Sequence, residues 1–164
     1  MKVIFLDIDG VLNVIPQGYD DFGGIFHSNF VDNLRRIIDE TGAQIVVSSS
    51  WRFSGITKIK DMWYVRNLPG KVIDVTVDTR DLIRQGKFKF HDEIMRGHEI
   101  QEWIDKTPEL ENYLILDDDN DFLPNQLNNF VRTANNQDHP DCIDIGYGLT
   151  NICTEMAIEI LNKK

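Results

Sequence analysis

At 164 residues, with 41% apolar and 27% charged side chains, the chain has the length and balance of one domain with a continuous core. No run of about 18 apolar residues is present, which excludes a membrane-spanning helix. A formal net charge of -10 argues against a broad surface for duplex nucleic acid, where affinity comes largely from Lys and Arg meeting phosphates.

Residues 1–6 place one charge before a short apolar run that Asp7 and Asp9 interrupt at once. That pattern is not a signal peptide, and a cytoplasmic location is expected. Residues 2–6 are of strand length and run into Asp7-Ile8-Asp9-Gly10. Two carboxylates two positions apart beyond a strand end can face one site while Ile8 turns into packing. Asp7 can attack phosphorus to give an aspartyl-phosphate. Asp9 can then protonate the leaving alkoxide and later deprotonate water. The same residues also suit an ordinary turn.

Residues 14–28 mix Gly, Pro and aromatics and read as a flap, with Tyr19, Phe22 and Phe26 available to stack on a base. Phe30, Val31, Leu34, Ile37 and Ile38 recur at helical spacing, and Gly42 is the expected stop. Residues 43–47 form a second apolar run, ending in Ser48-Ser49-Ser50. Ser48, with Ser49 and Ser50 behind it, offers a hydroxyl and backbone N–H groups that can grip phosphate oxygens. Ser50 equally suits the N-cap of a helix starting near Trp51.

Residues 51–95 form a long insert with Trp51, Trp63 and Tyr64, a basic-aromatic stretch at 87–90 and a weaker strand at 72–75. Arg52 and Lys89 are the cations to watch for a second phosphate. Arg96 stands before a helix from near Gly97 marked by Ile100, Trp103 and Ile104, where it can steady a phosphate or simply be solvated. A third apolar run at 113–116 ends in Asp117-Asp118-Asp119-Asn120-Asp121. Without a cation these carboxylates would repel one another and any incoming phosphate, and they offer the oxygen ligands Mg²⁺ prefers. An acidic surface loop is the alternative; the EF-hand spacing is absent.

A weaker strand at 130–133 and a polar, turn-rich stretch at 134–147 follow. The last helix is marked by Ile152, Met156, Ile160 and Leu161, with Thr150 as its N-cap. Cys142 and Cys153 are expected to be reduced, and His27, His91, His98 and His139 show no metal-ligand spacing. Near-continuous apolar strands alternating with helices imply an α/β fold, a three-layer Rossmann-like parallel sheet with helices on both faces. The insert after Asp9 is too short for a large cap, leaving a minimal flap over the strand ends where ligands bind in such sheets.

The order Phe-Leu-Asp7-Ile-Asp9-Gly-Val, Val-Val-Ser48, Arg96 and Ile-Leu-Asp117-Asp118 resembles the four motifs of the haloacid-dehalogenase-like (HAD) superfamily. Leu-Asp-Ile-Asp-Gly-Val-Leu-Asn, Ser-Ser-Ser-Trp-Arg, Arg-Gly-His-Glu-Ile-Gln-Glu-Trp and Gly148-Leu149-Thr150 are similar to the small phosphatase-type domains of RNA-repair proteins in that superfamily. The resemblance implies Asp7 as nucleophile and Asp9 as general acid/base. It implies Ser48 or Ser49 with Arg96 as the phosphate-binding groups. Mg²⁺ would be held by Asp7, Asp117, Asp118 and the backbone carbonyl of Asp9, with Asp121 unassigned. Val11 departs from the Thr that many phosphatases of the superfamily carry there.

The expected activity is hydrolysis of a phosphate monoester on a nucleotide or on a 3′- or 5′-phosphorylated nucleic-acid end. Small phosphorylated metabolites, or phosphoryl transfer to another hydroxyl, are the alternatives within enzymes. A receiver-type phospho-Asp domain fits less well, because receivers carry their acidic pair and acceptor Asp on different strands. A silent binding module has no reason to keep charges that repel.

Overall fold

The computed structural model describes residues 1–14, 16–133 and 147–163. Ile15 in the flap, His139, Cys142 and most of the stretch at 134–147 lie outside the described residues. In chain order the elements are β1 (Lys2–Leu6), β2 (Tyr19–Asp20), β3 (Gly23–Gly24), α1 (Ser28–Thr41), β4 (Gln44–Val47), α2 (Ile56–Val65) and β5 (Val72–Val75). There follow α3 (Thr79–Arg84), α4 (Arg96–Asp105), β6 (Asn112–Asp117), β7 (Phe130–Arg132) and α5 (Asn151–Asn162), with short 3₁₀ turns at Ser50–Ser54, His91–Glu93 and Pro124–Asn129.

Five strands make one sheet in the order β5-β4-β1-β6-β7, every pairing parallel. Both weaker strands of the sequence therefore form, at the two edges. The insert at 51–95 supplies α2, α3 and the edge strand β5. Alternation along β1 explains the three layers. Ile4 and Leu6 pack into a cluster with Leu34 and Ile37 of α1, Ile59 and Met62 of α2, and Cys153 and Ala157 of α5. Val3 and Phe5 point the other way, to Ile100 and Trp103 of α4. Phe5 meets the Trp103 ring edge-on at 5.4 Å.

The α1 stripe is buried as expected at Leu34 and Ile37. Gly42 ends the helix at φ 69, in the left-handed region that glycine adopts without cost, and its N–H donates to the Ile38 carbonyl. The rotation of α5 differs from expectation: Ile152 and Met156 are exposed, and Cys153, Thr154, Ala157, Ile160 and Leu161 face the core. Leu149 sets that rotation. It is fully buried, and its N–H donates to the Val11 carbonyl at 2.9 Å just before Thr150 caps the helix. The small Cys153 and Ala157 then let α5 approach α1 closely. No described helix is long and apolar enough to cross a membrane.

The flap is a two-stranded antiparallel hairpin, β2 against β3. Arg66, just past α2, clamps it: Nε and Nη2 donate to the two Asp20 carboxylate oxygens at 2.9 and 2.6 Å, and Nη2 also to the Gly23 carbonyl at 3.2 Å. The guanidinium lies 4.7 Å from the Phe26 ring centroid. This fork-to-carboxylate pairing fixes orientation as well as position. Phe26 and Trp63, expected as base-stacking or wall residues, are buried core instead, with Trp63 Nε1 donating to the Pro69 carbonyl. Tyr19 and Tyr64 stand out in solvent, leaving Phe22 as the flap aromatic at an accessible surface.

Candidate active site

Strand order places the site. β4 and β6 flank β1, so the residues after their last ladder positions flank Asp7. Parallel pairing continues one residue past each strand: Asp7 N–H donates to Leu116, Ser48 N–H to Leu6 and Thr133 N–H to Asp117, each at 2.9 Å. Asp7, Ser48 and Asp117 thus share one level at the carboxyl end of the sheet, where such folds bind ligands.

Carboxylate oxygens of Asp7, Asp117 and Asp118 lie within 4.8 Å of one another. Asp7 and Asp117 are buried. Burial pushes the Asp7 carboxyl up to about 6, while the Arg96 guanidinium and the Ser49 hydroxyl partly offset it. Burial and the nearby Asp7 charge push Asp117 well above the usual carboxylate range. Arg96 is the cation between them, with Nη1 3.5 Å from Asp7 Oδ1 and Nε 3.3 Å from Asp117 Oδ2. Asp117 Oδ2 nonetheless accepts no hydrogen bond among the described residues. Three convergent carboxylates, two held against their ordinary ionisation and one with an orphaned buried oxygen, fit a hard divalent cation such as Mg²⁺.

Arg96 is aimed by its helix. Its backbone N–H donates to Asp121 Oδ2 at 3.1 Å, and Gly97 N–H donates to the Asp121 carbonyl at 3.1 Å. Asp121 is thus a cap for α4, which gives a position to the acid that the sequence left unassigned. The Arg96 guanidinium also donates to the Ser48 carbonyl. Asp9 is held separately: Asn13 Nδ2 donates to Oδ1 at 2.7 Å and Trp51 Nε1 to Oδ2 at 2.9 Å. Its side chain is not in the three-carboxylate group. Sequence reasoning missed Asn13 and Trp51 as the holders of Asp9. The four-residue return from Asp9 to Asn13 in a tight turn is the one signal that pointed to the first.

The serines divide their tasks. Ser49, not Ser50, caps the turn at Ser50–Ser54, its hydroxyl accepting from Trp51 N–H at 3.4 Å. The same hydroxyl stands by Asp7 and favours its ionised form. The Ser48 hydroxyl is buried with no partner among the described residues. Arg52 differs from expectation. It is buried, with Nη2 donating to Glu99 Oε2 at 2.7 Å and Nη1 to the Ser49 carbonyl at 2.9 Å, so its charge is spent inside the fold. Lys89 is exposed, 5.2 Å from the Phe90 ring centroid.

Gly10 is the tightest constraint. Its φ is 75, and a Cβ there would overlap the Asp118 carboxyl group, within 2.5 Å of both oxygens. Thr133 Oγ1 donates to the Gly10 carbonyl at 2.8 Å and Arg132 Nε to the Asp118 carbonyl at 3.0 Å, so neither strand end is free to yield. Gly10→Ala should displace Asp118 and lower Mg²⁺ affinity by about 10- to 100-fold, the scale of lost ligand positioning. Titration calorimetry with Mg²⁺ checks this, and wild-type affinity in a folded variant would contradict it.

A model of the family described as the HAD domain in Swiss Army Knife RNA repair proteins matches residues 3–137, a span that contains every site residue described above. Comparison with curated proteins and with solved structures finds no match.

Proposed function

The chain belongs to the family of HAD domains in Swiss Army Knife RNA repair proteins, and from that membership we propose that it is a Mg²⁺-dependent phosphomonoester hydrolase acting on a nucleotide or a phosphorylated nucleic-acid end. The observation that carries the reading is the convergence of the Asp7, Asp117 and Asp118 carboxylates, with the Arg96 guanidinium against the first two.

In the proposed mechanism Asp7 attacks phosphorus, and the bond from phosphorus to the ester oxygen breaks as the aspartyl-phosphate forms. Asp9, its two oxygens oriented by Asn13 and Trp51, gives a proton to the departing alkoxide. It then takes a proton from water, which attacks the aspartyl-phosphate, releases inorganic phosphate and restores Asp7. Arg96 and the Ser49 hydroxyl hold the non-bridging oxygens, and the Ser48 hydroxyl, without a partner among the described residues, is free to add a further hydrogen bond. Asp7, Asp117, Asp118 and the Asp9 carbonyl would hold Mg²⁺, which when bound supplies positive charge to the phosphoryl oxygens.

A phosphate-release screen over 3′- and 5′-phosphorylated oligonucleotides, mononucleotides and sugar phosphates tests this. Turnover confined to sugar phosphates would remove the nucleic-acid assignment, and release unaffected by chelation would remove the metal.

Stability should also depend on pH in a metal-sensitive way. Asp7 is raised from 3.8 to about 6 in the fold, so ionising it costs more in the folded chain than in the unfolded one. The stability tied to its neutral form is complete below about 4 and lost as pH rises through about 6. Metal binding needs the ionised form. The rise in Tm on adding saturating Mg²⁺ should therefore be larger at pH 8 than at pH 5, by several degrees in thermal melts. Equal rises at both pH values would contradict the assignment of Asp7 as a ligand.

A further inference from the structure

Between the flap and the start of α2, with Trp51 in its wall, lies a cavity of about 270 Å³. Phe22 and Trp51 form its aromatic walls, the buried Ile59 and Met62 line it, and Ser54 and the exposed Lys58 add polar edges. Its size is below the roughly 300–1,000 Å³ of sites for drug-sized ligands, so it admits one ring system rather than a folded strand. None of the residues lining it is acidic, in a chain with 27 Asp and Glu. Lys58 makes no hydrogen bond or ion pair among the described residues. The cavity therefore suits a flat, aromatic, polar-edged group attached to an anion.

Trp51 ties this cavity to the chemistry. Its indole N–H is the donor to Asp9 Oδ2, and the flap backbone at Gly23 rests close enough that a side chain there would meet the Trp51 ring at 3.4 Å. A group seated against Trp51 thus presses on the residue that orients the proton donor.

We propose that this cavity holds the nucleobase of the substrate, a specificity that rests on the reading of the site as a phosphatase for nucleotides or nucleic-acid ends. Stacking on Phe22 and Trp51 is sequence-tolerant, because every base has a π-face. Lys58 at the edge meets the phosphate of the neighbouring nucleotide when the substrate is a strand.

The pair of substrates that isolates the base is a ribonucleoside 5′-monophosphate and ribose 5-phosphate. Wild-type protein should turn over the first with kcat/KM about 5- to 150-fold above the second, the range for one stacked base. Ser54→Phe, which fills the cavity and removes the hydrogen bond from Ser54 Oγ to the Trp51 carbonyl, should remove that advantage, bringing the ratio of the two kcat/KM values to about one. Lys58→Ala should raise KM for a phosphorylated oligonucleotide and not for the mononucleotide. Binding is read independently by NMR: a nucleoside without phosphate should shift the Trp51 indole N–H resonance in wild type and not in Ser54→Phe, while ribose shifts neither. Equal kcat/KM for the two phosphates, or no nucleoside-induced shift, overturns the proposal. If the nucleoside binds and no phosphate is released from either substrate, the hydrolase reading fails and the base site stands.

Discussion

Purified Asp7→Asn protein is expected to fold, to bind Mg²⁺ weakly and to release phosphate at least about 10³-fold more slowly than wild type. The amide keeps the shape of the carboxyl group but is no nucleophile, so the covalent step has no substitute. Stability should move the other way. Asp7 and Asp117 are buried against one guanidinium with Asp118 beside them, and the Asp7 carboxyl is already raised to about 6. Removing that charge relieves repulsion on Asp117 and leaves Arg96 to it alone. In metal-free buffer at pH 7 to 8 the variant should therefore melt at or above the wild-type Tm, with a smaller rise on adding Mg²⁺. A dead variant that also melts well below wild type would mean Asp7 serves the fold, and a fully active one would end the mechanism.

Arg52→Ala is expected to be the most damaging substitution outside the carboxylate group. The Arg52–Glu99 pair is buried on both sides, and Glu99 also accepts from Thr79 Oγ1 at 2.7 Å. Burial lowers the Arg52 guanidinium from its ordinary value and Glu99 opposes that, so each ion depends on the other. Truncating one partner strands the other charge in the interior, at about 3–5 kcal/mol. For a chain of this length that is roughly 10 °C of Tm. Arg52 also holds the Ser49 carbonyl, so phosphate release should fall with stability. Replacing both residues together with apolar side chains, Arg52→Met with Glu99→Leu, should recover much of the Tm, since two apolar groups leave no orphaned charge. A thermal melt in which the double variant is worse than either single one would contradict this account.

Most of the fold was legible in the sequence because its central strands are continuous apolar runs ending in polar clusters. Residues 2–6, 43–47 and 113–116 each announce both a doubly covered strand and the polar cluster at its end. Asp7, Ser48, Ser49, Arg96, Asp117 and Asp118 do converge. What escaped the sequence depends on direction rather than residue type. Arg52 and Arg96 look alike in a string of letters; only packing turns one toward Glu99 and the other toward Asp7 and Asp117. Phe26 and Trp63 are as aromatic as Phe22, and only packing separates them: Phe26 lies under the Arg66 guanidinium and Trp63 is tied to the Pro69 carbonyl, both in the core. On α5 the apolar residues occupy more than one stripe, and the anchoring of Leu149 on Val11, remote in sequence, chose the buried one.

The central position of β1 has a consequence for how the protein is made. β1 leaves the ribosome before either of its partners, yet it is hydrogen-bonded on both sides, to β4 and to β6. At the usual pace of synthesis, β6 follows only after roughly ten seconds. Through that interval Val3, Ile4, Phe5 and Leu6 present an unpaired edge that can join another nascent chain. Asp7 and Asp9 at its end are then solvated charges on an incomplete sheet, and like charge on neighbouring chains opposes such pairing. The carboxylates proposed to act on phosphate thus also guard the segment that carries them until its second neighbour arrives.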